Sequence, residues 1–236
     1  MKRLFHFFLI LFIPYTSYTQ INKISANNIK DFETSMNYAE LEKKAVIIDF
    51  VADWCGPCKT MDKELWNSEE FKMLKNYVFI EVDIDKNTLL ARKYGITSIP
   101  RVIVEVANNN KDVLIDKSGF RSKNQHLNEL QYVNQFDFKE VYESTNELEY
   151  GTAYRNLFLL DKEKTYKTLL KLSTKHFKKA LKKEKNNTNQ LNILYNLKLK
   201  GSSKKALKNL EKLKLDKASL TEIENEIIQN IISNPS

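Results

Sequence analysis

Hydrophobic and polar positions divide the chain into two regimes. Between Asn28 and Asn134, short continuous apolar runs alternate with amphipathic stretches; beyond Phe136 the apolar residues recur at three- and four-residue steps. In the first regime, Ile29, Phe32, Met36, Ala39 and Leu41 predict an amphipathic helix over 28–44. Ala45 to Ala52 (AVIIDFVA) is rich in β-branched residues and predicts a strand buried on both faces, interrupted only by Asp49. Helical character resumes over Lys59–Trp66, and Ser68 before Glu69 and Glu70 marks a fresh start running to about Asn76. Tyr77–Asp83 predicts a second strand, and Leu89–Tyr94 a helix ended by Gly95. Arg101–Val106 and Asp112–Asp116 read as two strands joined by an Asn-rich turn, hence an antiparallel hairpin. Ser122–Asn134 closes the region as a helix. The order helix, strand, helix, strand, helix, strand, strand, helix describes an α/β unit with a mixed sheet covered by helices.

The second regime is helical throughout. Its apolar positions run from Tyr154 to Leu181, followed by a polar loop over Lys182–Gln190 (KKEKNNTNQ). Two helices then flank Gly201, and a last one spans Leu220–Ile232. The organisation expected is residues 1–19 as a leader, 20–136 as the α/β domain and 137–236 as a small all-α segment. Leu191–Leu213 resembles one tetratricopeptide-type hairpin, but such folds usually stack about three units. A generic bundle packed on the first domain is the other reading. The segment holds no catalytic constellation and is expected to be dispensable, so that a piece spanning Gln20 to Asn134 folds alone.

Charge changes this picture little. The net charge is +8, and residues 137–236 carry 20 basic against 13 acidic side chains, which leaves +1 for the remainder. That excess is Lys with a single Arg, Arg155. Nucleic-acid surfaces mix Arg and aromatics into the basic face, so a solvated face is the reading here and no nucleic-acid partner is expected. At the other end, Lys2 and Arg3 precede an apolar run from Leu4 to Ile13, and Ser17-Tyr18-Thr19 offers small residues before Gln20. This is the pattern of a cleaved export signal. The run is about half the ~20 residues that cross a bilayer, so no stable membrane insertion is expected after cleavage, and the mature protein is expected to be periplasmic or secreted.

The two cysteines, Cys55 and Cys58, lie three positions apart. A bridge across two residues removes little unfolded-state entropy, so the pair is there for chemistry. A strand followed at once by a helix puts Cys55 at the helix N-terminus, where unpaired N–H groups and the macrodipole favour a thiolate. Cys58 sits one turn later, within reach of a mixed disulfide formed on Cys55. Pro57 suits the first helical turn, and Gly56 removes bulk beside the attacking sulfur. A zinc site lacks ligands: only His126 and His176 remain to join the cysteines. No metal and no cofactor are expected, because the electrons reside on sulfur.

Asp49–Lys59 reads DFVADWCGPCK, and Ile99-Pro100 follows 42 positions after Cys58. These motifs resemble the active-site segment of the thioredoxin family over about residues 25–136. The resemblance implies a thioredoxin fold and a cis-proline at Pro100. It also implies a substrate site formed by Ile99, Pro100, Trp54, Gly56 and Pro57. Asp49 stands six positions before Cys55 in an otherwise apolar strand. Burial raises a carboxyl pKa, and the matching family position holds an acid that assists deprotonation of the second cysteine. There are departures: Val51 stands where many cytosolic members have Trp, Glu81 where many have Lys, and Arg101 where small residues are common. The run K-T-M-D-K-E-L-W is closer to exported relatives. The function expected is an exported thiol–disulfide reductase acting on disulfide-containing client proteins, with a membrane or exported electron donor. An oxidase or isomerase of the same fold, and a partner-binding module with an incidental cysteine pair, are the alternatives.

Overall fold

The computed structural model describes residues 21–161, 166–216 and 218–233; the expected leader lies outside the described residues. Five strands, β1 (Lys23–Ser25), β2 (Ala45–Val51), β3 (Tyr77–Asp83), β4 (Arg101–Val106) and β5 (Asp112–Ser118), form one sheet in the order β1-β3-β2-β4-β5. The central strand β2 runs parallel to β3 and antiparallel to β4, with Asp49 opposite Glu81 on one side and Val102 on the other. β1 pairs in parallel with β3. It has only three residues with alternating exposure, too short to show as a periodic run in the sequence.

Because side chains alternate along a strand, β2 feeds two cores. Val46, Ile48 and Phe50 pack with Phe32 and Ala39 of α1 (Ile29–Leu41). Ala45 and Ile47 face the opposite way and join Trp66, Phe71 and Phe79. The helix after the cysteines is α2 (Gly56–Met61), continued by a wider π-helical turn over Asp62–Trp66 that carries Leu65 and Trp66 into the core. Next come α3 (Glu69–Lys72), capped by the Ser68 hydroxyl, then α4 (Thr88–Lys93), ended by Gly95 at φ +61°. α5 (Lys123–Asn134) starts in a capping box made by Ser122 and Gln125.

The remaining helices are α6 (Lys139–Glu143), α7 (Glu147–Leu160), α8 (Lys167–Lys183), α9 (Asn187–Leu199), α10 (Ser203–Lys212) and α11 (Glu222–Ile232). The polar stretch 182–190 is mostly helical and not a loop: α8 runs to Lys183, and the Asn186 side chain caps α9 by accepting from the Asn189 N–H. α9 and α10 form the expected hairpin, with Gly201 in the turn at φ +88° and Ala206 fully buried. Gly151 marks a second close approach: a Cβ there would lie 2.6 Å from the Phe177 ring.

The helical segment shares its core with the sheet. Val102, Val104, Leu114 and Ile115 belong to the same buried cluster as Tyr154, Leu157, Phe158, Leu169 and Leu170. Polar groups reinforce the seam. The Tyr154 hydroxyl donates to Asp112 Oδ2 at 2.8 Å, and Tyr166 donates to the Leu114 carbonyl at 2.9 Å. His176 lies between Asp112 and Glu147, and Lys175 reaches Asp112 at 2.6 Å. Burial pushes the Asp112 carboxyl up, but hydrogen bonds from His176 and Lys175 outweigh it and hold it well below its ordinary value. The expectation that the segment is dispensable therefore meets a continuous apolar core across residue 136.

Candidate active site

Cys55 and Cys58 sit where β2 hands over to α2 and are joined by a disulfide with a Cα–Cα separation of 5.3 Å. Cys55 is the N-cap of α2. Its backbone is extended, and its sulfur accepts the Cys58 N–H at 3.2 Å. One of the donors left over at a helix start is thereby aimed at the first sulfur. Both cysteines are buried, 3% and 4% exposed, so residue exposure does not separate them. Pro57 occupies the first turn, where its missing N–H costs nothing. A Cβ built on Gly56 meets nothing within 4 Å, so internal packing places no demand on that position.

Ala52, Val51, Ile84 and Ile99 surround the pair. The Ile99–Pro100 peptide bond is cis, and the Pro100 carbonyl accepts from the Gly119 N–H at 2.8 Å. The structure thus brings Ile99 against the cysteines. Trp54 does not pack over the sheet: it is 68% exposed, and its indole N–H donates to Asp85 Oδ2 at 2.8 Å. Asp85, in sequence only part of a polar break, fixes the orientation of this exposed ring.

Asp49 is 1% exposed. Its Oδ2 accepts from the Trp66 indole at 2.7 Å, while Oδ1 has no hydrogen-bond partner among the described residues. Burial, with a smaller contribution from Glu81, pushes this carboxyl up to about 7, against the opposing Trp66 hydrogen bond and the Lys23 charge. Val51, two residues further along the same strand face, is among the side chains packed on the cysteines. Glu81 lies opposite Asp49 and its charge raises the carboxyl, but it is not alone. Lys23 Nζ bridges Glu81 Oε2 and Asp62 Oδ1 at 2.8 Å each, and so restores from β1 a cation that position 81 lacks. A lone Lys near the start of a short edge strand carries no signal in the sequence for this role.

The two histidines weighed as metal ligands are engaged elsewhere: His176 at the seam, and His126 beside Trp66 at 6.3 Å between ring centroids. Burial, helped by the Arg121 charge, lowers His126 to about 4, so it is neutral near pH 7.

Residues 23–131 match the family model described as Thioredoxin. The chain is 36% identical over 77 residues to the rice (Oryza sativa subsp. indica) Thioredoxin H-type, covering 33% of this chain and 62% of that protein. It thus spans less than two thirds of the rice relative. It is 35% identical over 103 residues to Rickettsia felis thioredoxin, covering 43% of this chain and 92% of that one. Among solved structures it is similar to reduced Schistosoma mansoni thioredoxin pre-protein, at 28% identity and a TM-score of 0.40, over 47% of this chain and 96% of that chain. With a mixed five-stranded sheet, a disulfide-capable Cys55–Cys58 pair at a helix start, and a relative matched over nearly its whole length, the chain belongs to the thioredoxin family.

Proposed function

We propose that the protein is a thiol–disulfide oxidoreductase that reduces disulfides in client proteins outside the cytoplasm. The observation that carries the reading is the Cys58 N–H directed at the Cys55 sulfur from the first turn of α2. In the reduced protein that donor and the helix start stabilise a Cys55 thiolate. The thiolate attacks one sulfur of the client disulfide and the other leaves as a thiolate, giving a mixed disulfide. Cys58 then loses its proton and attacks the Cys55 sulfur. The client sulfur that was bonded to Cys55 leaves as a thiol or thiolate, and the Cys55–Cys58 disulfide closes. Two electrons have moved from the protein to the client.

Asp49, with its carboxyl up to about 7 and one oxygen unbonded among the described residues, has the chemistry to take the Cys58 proton. In this reading the backbone at Ile99 and Pro100 pairs with the extended client segment. Trp54 supplies an apolar rim, and the unencumbered surface at Gly56 and Pro57 lets the client backbone approach. The leader pattern of residues 1–19 supports export, and a membrane or exported donor returns the electrons. The mature protein, beginning at Gln20, should catalyse dithiothreitol-driven reduction of insulin, followed by turbidity. A rate no faster than dithiothreitol alone would defeat the reading. The mass of the protein recovered from the exporting host reports cleavage before Gln20; an intact leader there would defeat the export part alone.

A further inference from the structure

Away from the cysteines, α6, α7, α9 and α11 line an open pocket of about 610 Å³, within the ~300–1,000 Å³ range of small-molecule sites. Arg155, only 8% exposed, lines its floor. The guanidinium carbon lies over the Phe177 and Tyr195 rings, 5.2 and 5.1 Å from their centroids. Its N–H groups lie along the edge of the planar guanidinium. One of those groups, on Nη1, donates to Asn192 Oδ1. Among the described residues no carboxylate is in ion-pair contact with Arg155, and its other N–H groups have no acceptor. Burial lowers it to about 10, so it keeps its charge at neutral pH. Those unpaired N–H groups keep some solvent access, and the Glu226 charge acts on the guanidinium, so the fork is available to a ligand entering the pocket.

The mouth has the opposite sign. Glu226 lines the same pocket from α11, is exposed, and has no hydrogen-bond or ion-pair partner among the described residues. Three further acids at the pocket are already engaged: Glu140 accepts from Asn156, Glu143 pairs with Lys139 at 3.9 Å, and Glu149 accepts from Thr145 and Asn146. With these acids around a single cation, a phosphate dianion or polyanion meets net repulsion. A ligand with one carboxylate and one cationic end meets attraction at both, and Leu148 and Ile227 add apolar wall for a side chain. We propose that this pocket binds an amino acid or short peptide as a zwitterion, its carboxylate held by the Arg155 fork and its ammonium facing Glu226. The carboxylate fits because a guanidinium offers two parallel N–H donors to its two oxygens.

Calorimetric titration of the mature full-length chain with L-leucine and with L-leucyl-L-leucine tests this and separates the free amino acid from the peptide. Saturable binding of either is expected, weakened about tenfold or more when the carboxylate is amidated, since charge-assisted hydrogen bonds are lost. Glu226→Gln, at the exposed mouth, should weaken the zwitterion and leave its N-acetylated form unchanged. Asn192→Asp places a carboxylate against Arg155 and should abolish binding, with circular dichroism reporting that the variant is folded. The proposal fails if neither probe binds up to about 10 mM, a standard free energy of only ~3 kcal/mol. It fails equally if acid and amide bind alike, or if acetate or inorganic phosphate binds more tightly than the dipeptide.

Discussion

Replacing Asp49 by Asn removes a buried ionisable group while keeping an oxygen for the Trp66 indole, which donates to Asp49 at 2.7 Å. The carboxyl lies at an ordinary 3.8 when unfolded and at about 7 in the fold. That gap corresponds to about 4 kcal/mol, at ~1.4 kcal/mol for each pH unit. Because the folded value is raised, the native state binds the extra proton between these limits. The stability that Asp49 allows is therefore fully present below about pH 4, falls as pH rises, and levels off above about pH 7. Asn has no such dependence. Its buried amide adds a pH-independent penalty of about 1–3 kcal/mol where a donor is left unpaired, so the informative quantity is the change with pH and not the absolute difference. Urea unfolding of the oxidised proteins, in which the thiols do not titrate, should show the Asn variant gaining on the parent by about 4 kcal/mol from pH 4 to pH 8. In single-turnover reduction the same variant should resolve mixed disulfides more slowly, because Asn accepts no proton. Parallel stability profiles, or a variant that loses ground to the parent as pH rises, would refute the reasoning.

Lys23→Met takes away the cation that bridges Glu81 and Asp62; the Asp49 carboxyl should then titrate above its parent value, read by carboxyl-carbon NMR. Gly151→Ala puts a Cβ 2.6 Å from the Phe177 ring and should cost about 1–3 kcal/mol by overpacking, measured by urea unfolding. Ending the chain after Asn134 strips Tyr154, Phe158, Leu169 and Leu170 from the core they share with Val102 and Val104. At about 1.5–3 kcal/mol for each large apolar side chain, the loss is comparable with a whole domain's ~5–15 kcal/mol. The shortened chain should lose its near-ultraviolet circular dichroism, and a sharply unfolding soluble product would count against a shared core.

The fold of the first half was legible because its signals are local. A short continuous apolar run rich in β-branched residues favours an interior strand; β3 and β4 begin and end where that pattern does, and β2 stops at Val51, one residue short of it. The Cys pair, Asp49 and the Ile99–Pro100 step were legible as motifs. What escaped depends on contacts between distant segments. β1 exists through its pairing with β3, and Lys23 reaches the Asp49 neighbourhood only through that pairing. Asp85 is an ordinary polar residue until the sheet brings it to Trp54. No periodicity says which apolar stripe covers which strand, so the coverage of Leu114 and Ile115 by α7 and α8 appeared only in three dimensions. The 182–190 stretch was misread because Asn and Lys are common in loops, whereas here Asn186 starts a helix.

In the proposed cycle Cys55 attacks client disulfides and Cys58 resolves them. Insulin should be incubated with reduced Cys58→Ser and Cys55→Ser variants of the mature protein, and the products separated on non-reducing gels. A covalent adduct that dithiothreitol releases should accumulate with Cys58→Ser and be absent with Cys55→Ser, because only the former keeps the sulfur that the α2 start activates. An adduct formed chiefly by Cys55→Ser, or by neither variant, would contradict it.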